Sequence, residues 1–335
     1  MLDRSSSIGR FGIKEEYRIK NEVENEIQNV GKYRTESVSN ITWYMGIGGA
    51  GWGNIDYKHC EEAVLTMVDE GVNLIDTAPA YNDGVAEAFL GKILKNKRDN
   101  IFYVTKTGTQ YKNGIYNTDN SSESIRKQCE ESLKYLNTDY IDVYLVHWPD
   151  KKVPMEETFT ELNKLKSEGK IRHIGVSNFS IDQIKEASQF SYIDVIQDQY
   201  SMVYRKNENR IIKAHQDGMG VMTYGSLGAG ILSGKYRKLP VFEKGDMRTN
   251  FYNFFEEPQF TKIQELLGKM DTISKGRNNI PISQIALNWN ICKPYVDTAI
   301  VGVRTIAHAL ENCNAVKWEL TDEEMKKLDT SANAI

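Results

Sequence analysis

No window of the 335-residue chain approaches the roughly 20 consecutive apolar residues of a membrane-spanning helix. Residues 1–10 lack the apolar core of a secretory leader. Cysteine is scarce, and the four present (Cys60, Cys129, Cys292, Cys313) are so scattered that no CxxC pair arises. That spacing argues against a disulfide framework or a zinc site and points to buried, reduced thiols in a cytoplasmic protein. A surplus of either charge is missing too. Lys plus Arg total 42 against 46 Asp plus Glu, a net charge of −4, which leaves no footprint for nucleic acid or an anionic membrane. What remains is ordinary: 40% hydrophobic and 26% charged residues, the composition of a globular chain rather than a disordered one. The length accommodates one large α/β domain or two smaller ones.

From residue 41 onward short apolar runs alternate with amphipathic stretches. Strand-like runs occur near residues 44, 72, 101, 140, 171, 192, 220 and 298, mostly continuous in apolar residues, as strands covered on both faces are. Helical spacing occupies residues 57–70, 85–95, 122–136, 155–168, 181–188, 208–217 and 306–312, with Ser121 or Ser122 capping the third and Gly169 closing the fourth. Eight strands, each followed by a helix, predict a single-domain (β/α)8 TIM barrel over residues 41–335, with a doubly wound sheet as the competing architecture. Residues 227–260 form a long glycine- and aromatic-containing excursion, expected over the C-terminal face of the barrel. Residues 1–40 stand apart as a polar N-terminal extension of uncertain structure, with a charged helical stretch at 20–28 and a weak hairpin pattern at 33–44.

Gly46-Ile47-Gly48-Gly49-Ala50-Gly51 matches GxGxxG after an apolar run, and Asp76 ends the next strand 76 − 51 = 25 residues later. This imitates a dinucleotide-binding fingerprint with its ribose-binding acid. Two features oppose that reading. Trp52-Gly53-Asn54-Ile55-Asp56 intervenes where the helix should begin, and polar residues end strand after strand further along. The plainer reading is a tight βα loop.

In a barrel, residues at the C-terminal ends of different strands converge on one pocket. Asp76 ends the second strand and Tyr81 follows closely; Lys106 ends the third, and His147 the fourth. Singly, each has a structural explanation: a helix cap, a solvated strand end, a satisfied core histidine. Together they make coherent chemistry. Tyrosine, with a reference pKa near 10, exchanges protons poorly at neutral pH. An adjacent ammonium favours the phenolate, and an aspartate fixes that ammonium. A histidine can orient a carbonyl oxygen beside the phenol. Such a site protonates an alkoxide as it forms, which is half of a carbonyl reduction.

These residues, in Asn73-Leu74-Ile75-Asp76-Thr77-Ala78, Val104-Thr105-Lys106 and Leu145-Val146-His147-Trp148-Pro149-Asp150, resemble the tetrad of the aldo-keto reductase family. Leu136-Asn137-Thr138-Asp139-Tyr140-Ile141-Asp142 and Ile171-Arg172-His173-Ile174-Gly175-Val176-Ser177-Asn178-Phe179-Ser180 are also typical of it, and the likeness spans residues 41 to 330. It is closest to bacterial-type reductases and potassium-channel β subunits. The resemblance implies Tyr81 as general acid/base, tuned by Lys106 and Asp76, with His147 positioning the substrate oxygen. It places Ser177, Asn178 and Gln197 on the nicotinamide carboxamide and stacks Tyr224 on the ring. It assigns the loop from Leu227 to Tyr236, including Gly230 and Lys235, to the pyrophosphate, with Arg248 joining them, and counts Gly225 and Ser226 among the cofactor contacts. It also brings Gly302 and Arg304 to the adenine-ribose phosphate, favouring NADP(H) over NAD(H), and His308, Glu311 and Asn312 to the adenosine end. Two positions depart from the pattern. His308 stands where glutamine is common, and Ala86 stands where a small polar residue usually precedes the glutamate, here Glu87.

Trp52, Trp148, Tyr111, Phe251, Tyr252, Phe254 and Phe255 lie in βα loops or the excursion. They are candidates both for a pocket wall and for core, with Trp52, Tyr81, His147 and Trp148 favoured as substrate contacts. The expected partner is a small-molecule carbonyl compound, with no nucleic acid and no membrane. The resemblance leaves three readings: an NADPH-dependent reductase, a nucleotide-sensing barrel, and an isomerase-like enzyme that returns its nicotinamide unchanged.

Overall fold

The computed structural model describes residues 41–44 (backbone only), 56–112, 115–243, 246, 248 and 252–335. The N-terminal extension, the glycine run at 46–51, Trp52 and Phe251 lie outside the described residues.

Eight strands close into one parallel barrel. In chain order they are β1 (Ile41–Tyr44), β2 (Leu74–Asp76), β3 (Phe102–Thr107), β6 (Ile141–Val146), β7 (Ile171–Ser177), β8 (Val195–Gln199), β9 (Gly220–Tyr224) and β10 (Thr298–Gly302). The spatial order is β1-β10-β9-β8-β7-β6-β3-β2, and β1 completes the ring by pairing with both β10 and β2. Closure excludes the doubly wound sheet, and with it the dinucleotide-fingerprint reading of the glycine run. Between β3 and β6 stands an antiparallel hairpin, β4 (Thr109–Lys112) and β5 (Ile115–Thr118).

The outer layer comprises α1 (Tyr57–Asp69), α2 (Val85–Ile93), α3 (Ser122–Leu136), α4 (Met155–Ser167), α5 (Ile181–Ala187), α6 (Glu208–Gln216), α7 (Gln259–Gly276), α8 (Ile282–Ile291), α9 (Ile306–Asn314) and α10 (Asp322–Ala332). Local chemistry fixes many of their ends. Asp56 caps α1 by accepting from the Lys58 and His59 amides, and Ser121, not Ser122, caps α3. Gly169 follows α4 with φ +76°, the left-handed step that ends a helix at low cost. Cys60, Cys129 and Cys313 are buried as expected, whereas Cys292 is half-buried and donates its thiol to Asn288 Oδ1 at 3.3 Å. Among the described residues no helix is long and apolar enough to cross a membrane.

The core has two parts. Between strands and helices runs a large apolar layer that includes Val64, Leu90, Ile125, Tyr144, Phe159, Ile211, Leu267 and Trp289. Inside the barrel, Leu74, Val104, Val143, Leu145, Val195, Met222 and Ile300 form a separate cluster. On β7 the inward position is Gly175, where an added Cβ would stand 2.5 Å from Leu145 Cδ2 and from the Val195 carbonyl oxygen. The glycine there makes room for its larger neighbours. Side chains alternate along a strand, so the residues two positions beyond this layer also face inward. They are Asp76, Lys106, His147, Ser177, Gln197 and Tyr224. The polar site is therefore the next layer of barrel packing, at the C-terminal end where barrel sites form.

Candidate active site

Lys106 and Asp76 are both buried, and Lys106 Nζ donates to Asp76 Oδ2 at 2.7 Å. A second bond runs from Nζ to the Thr77 carbonyl oxygen at 2.8 Å, a contact that the residue pattern did not announce. The other Asp76 oxygen accepts from Gln197 Nε2 at 2.7 Å. Burial pushes the Asp76 carboxyl up and the Lys106 ammonium down, each opposed by the attraction of its partner. The Lys106 ammonium lies 5.0 Å from the centre of the Tyr81 ring. Tyr81 leads into a tight turn in which Asn82, Asp83 and Gly84 all have positive φ. At Gly84 a Cβ would come within 2.6 Å of the Tyr135 ring, so glycine is required between Tyr81 and α2.

The His147 ring stands edge-on to Tyr81, with centroids 5.9 Å apart and planes at 90°. Burial and then the Lys106 charge hold its pKa well below the ordinary histidine value, so His147 is neutral at pH 7 and carries one N–H and one lone pair. Its Nδ1 is buried with no hydrogen-bond partner among the described residues.

Asn178 joins this group to the far side of the barrel mouth. In a left-handed conformation (φ +63°), it donates through Nδ2 to the His147 carbonyl oxygen and to Ser177 Oγ, both at 3.0 Å. Its Oδ1 accepts from the Tyr224 hydroxyl at 2.7 Å. Ser177 Oγ in turn donates to the Gln197 carbonyl oxygen at 2.9 Å. Seven of the sequence-predicted residues (Asp76, Lys106, His147, Ser177, Asn178, Gln197 and Tyr224) thus share hydrogen bonds through adjacent main chain and side chains. Gln199, two residues beyond Gln197 on β8, went unread. It packs beside Gly225, and its Nε2 is buried without a partner among the described residues. The period of two along Val195, Gln197 and Gln199 was the available signal.

The remaining cofactor candidates are more dispersed. Gly225, Gly228, Ala229 and Gly230 all have positive φ, which coils the chain into a compact turn after β9. The amides of Gly228 and Gly230 are used inside it, donating to the carbonyls of Gly225 and Leu227. These two N–H groups are therefore committed within the turn. The Ser226 hydroxyl is buried and bonds to the Ile300 carbonyl oxygen at 3.3 Å. Lys235 is exposed, and Arg248 is paired with Asp246 and lies over the Phe242 ring at 4.4 Å. Gly302 ends β10, and the exposed Arg304 stands just before α9, capped by Thr305, whose side chain accepts from the His308 amide. His308 is exposed, Glu311 accepts from the Ser283 hydroxyl, and Asn312 is buried with Nδ2 unpartnered among the described residues.

Of the aromatic candidates, Trp148 is 44% exposed, while Phe254 and Phe255 are buried in the outer core. Those two are packing residues rather than a pocket wall, and Tyr252 stacks on Phe254 at 5.1 Å. Tyr111 is half-buried and pairs with Tyr116 across the hairpin at 4.7 Å. The buried Asn120 ties the base of that hairpin to the loop after β6, donating to the Trp148 carbonyl oxygen at 3.0 Å.

A phenol beside a buried ammonium and a neutral imidazole is machinery for moving a proton onto a developing oxyanion. A sequence model of the aldo/keto reductase family matches residues 44–333. The chain belongs to the aldo/keto reductase family. It is 36% identical over 292 residues to the aldo-keto reductase YhdN of Bacillus subtilis, covering 86% of this chain and 87% of that protein. Against the NADH-specific methylglyoxal reductase of Escherichia coli the identity is 33% over 310 residues, covering 88% and 94%. An aldo/keto reductase of Klebsiella pneumoniae solved with NADP and acetate superposes with a TM-score of 0.67 at 28% identity, covering 87% of this chain and 89% of the other. Ala86, the position that departs from the resemblance, is fully buried in the outer core, next to the buried Glu87.

The residues fit a nicotinamide dinucleotide. Asn178 and Ser177 present amide and hydroxyl groups beside Tyr224, next to Gln197, whose Nε2 is committed to Asp76. The unpartnered Nε2 of Gln199 and Nδ2 of Asn312 add buried donors with unused capacity.

Proposed function

We propose that this chain is a cytoplasmic, NADP(H)-dependent oxidoreductase that reduces an aldehyde or ketone to an alcohol, with Tyr81 donating the proton. The observation that carries the reading is the juxtaposition of the Lys106–Asp76 pair with the Tyr81 ring and the neutral His147. Ser177, Asn178, Gln197 and Tyr224 would hold a reduced nicotinamide, which when bound would supply a hydride to the carbonyl carbon. The Tyr81 hydroxyl gives its proton to the carbonyl oxygen, while the Lys106 ammonium stabilises the negative charge left on the phenol. Asp76 keeps that ammonium in place, and Gln197 keeps Asp76 in place. His147 directs the carbonyl oxygen towards Tyr81 through a ring N–H. Ser177, Asn178 and Gln197 would take the carboxamide end of the nicotinamide, and the Tyr224 ring would stack on it. Trp148, exposed at the rim, and Trp52 are assigned to the substrate.

The direct test follows loss of NADPH absorbance with a panel of aldehydes, ketones and sugars. Consumption that depends on carbonyl substrate supports the reductase. Tight NADPH binding without consumption would replace it with the nucleotide-sensing or isomerase-like reading.

Cofactor choice has a separate test, sharpened by the NADH specificity of the Escherichia coli relative. An arginine at a helix N-terminus suits a phosphate monoester. Arg304→Ala is expected to raise the KM for NADPH roughly ten- to a hundredfold, the worth of a charge-assisted hydrogen bond, and to leave that for NADH nearly unchanged. Equal losses with both cofactors would remove Arg304 from phosphate recognition.

A further inference from the structure

Glu87 is a fully buried acid on α2 that has no part in the chemistry described above. It lies against the outer face of β3, opposite the barrel interior. Side chains alternate on that strand, so Lys106 faces inward while its neighbours Thr105 and Thr107 face the helices. Thr105 Oγ1 donates to Glu87 Oε1 at 2.6 Å. The chain therefore carries one carboxyl on each side of the Lys106 rung, Asp76 in contact with the ammonium and Glu87 bonded to the adjacent residue.

The surroundings of Glu87 are polar. Ser132 on α3 stands beside its carboxyl, and the Tyr144 hydroxyl on β6 stands beside Thr107 of β3, all of them buried. Tyr144 pairs in register with Thr105, which places its side chain on the same outer face. The charged groups that act on Glu87 are the Lys106 ammonium from β3 and the Glu131 carboxylate from α3, and Tyr144 is the titratable group on β6 that senses it. A carboxyl wanted only for packing or a single hydrogen bond could be replaced by glutamine at little cost. Here an ionisable group has been buried beside the strand that holds the lysine.

Resting on the reading of Tyr81 as proton donor, we propose that Glu87 is a positioning residue for Lys106. It holds β3 through the Thr105 hydroxyl and adds a second carboxyl to the field that Lys106 presents to Tyr81. Burial pushes the Glu87 carboxyl up to about 7, opposed by the nearby Thr105 and Ser132 hydroxyls and the Lys106 ammonium. Below that pH Glu87 is neutral and the Lys106 charge acts on Tyr81 undiminished. Above it, the new negative charge offsets part of the Lys106 field, and the phenolate that forms on proton transfer is less well stabilised.

The test is the single-turnover rate of carbonyl reduction with bound NADPH, measured from pH 6 to pH 8. The parent enzyme is expected to slow by about three- to fivefold across that range, the effect of one charge at moderate distance in a partly screened site. Glu87→Gln keeps the acceptor for Thr105 and removes the ionisation, so its profile should lose this step. Thr105→Val strips a hydrogen bond that favours the carboxylate, so its step should move to higher pH; it also serves if Glu87→Gln does not fold. A purely structural role would lower the rate by one factor at every pH. Profiles of both variants parallel to the parent, with Tyr81→Phe inactive, would overturn the proposal alone. A Tyr81→Phe enzyme as fast as the parent would overturn the proton-donor reading and this proposal together.

Discussion

Replacing Tyr81 by phenylalanine is expected to slow carbonyl reduction by about 10²- to 10⁴-fold, the usual contribution of a positioned general acid, and to leave NADPH affinity close to that of the parent. The substitution removes one oxygen from a ring that packs partly against the outer core, so the fold and the turn at Asn82, Asp83 and Gly84 have no reason to change. The Lys106–Asp76 bond does not involve the lost hydroxyl. What disappears is the proton that must reach the carbonyl oxygen as the hydride reaches carbon. Fluorescence titration with NADPH separates binding from turnover, and steady-state assays on the best carbonyl of the panel give the rate. A mutant that reduces at the parental rate would show that water or His147 delivers the proton. His147 is poorly placed for that role at neutral pH, because burial and the Lys106 charge keep it unprotonated.

Much of this site was legible because a barrel repeats. Each of Asp76, Lys106, His147 and Gln197 lies two residues beyond an inward apolar position, and period-two patterning at a strand end survives in sequence. Boundaries were less legible where apolar residues continue into a loop. The sixth strand reads as residues 192–196, yet it spans Val195–Gln199, since Tyr192 and Ile193 are apolar without being paired. Helix α8 escaped for the opposite reason, because Ser283 through Ile291 are all buried and an evenly buried helix shows no stripe. Helices α7 and α10 did carry signals, the former in Phe260, Ile263, Leu267, Met270 and Ile273, the latter in the capping box of Thr321 and Glu324. The hairpin also had one, the Asn113-Gly114 dipeptide between two short strands. The positions of Arg248 and the glycine turn were not readable, for their partners depend on how a loop coils rather than on strand register.

The second large effect is expected at the opposite end of the barrel, where Asp142→Ala should cost about 3–5 kcal/mol of stability, the loss seen when one partner of a buried ion pair is removed. Asp142 is buried on β6 and accepts three bonds: from Arg98 Nη2 at 2.8 Å, from the Tyr103 amide at 2.9 Å and from Arg172 Nη1 at 3.4 Å. Burial pushes its carboxyl up, against the pull of Arg98 and the Tyr103 amide, so the ion pair depends on the three donors that meet the carboxylate. The same Arg98 donates to Thr138 Oγ1, the Ile101 carbonyl oxygen and the Tyr140 carbonyl oxygen. Its guanidinium lies 4.0 Å from the centre of the Tyr140 ring, and that of Arg172 lies 3.8 Å from it. The Leu136-to-Asp142 motif therefore acts as a clamp joining β3, β6 and β7 at their N-terminal ends. Alanine would leave two arginine charges and the Tyr103 amide without their acceptor, which is why the expected loss exceeds that of a surface pair. Urea unfolding should show a lower midpoint with an unchanged slope, and protein that remains folded should bind NADPH as the parent does. A midpoint equal to the parent's would mean that water replaces the carboxylate, and the clamp would then be a consequence of the fold rather than a support for it.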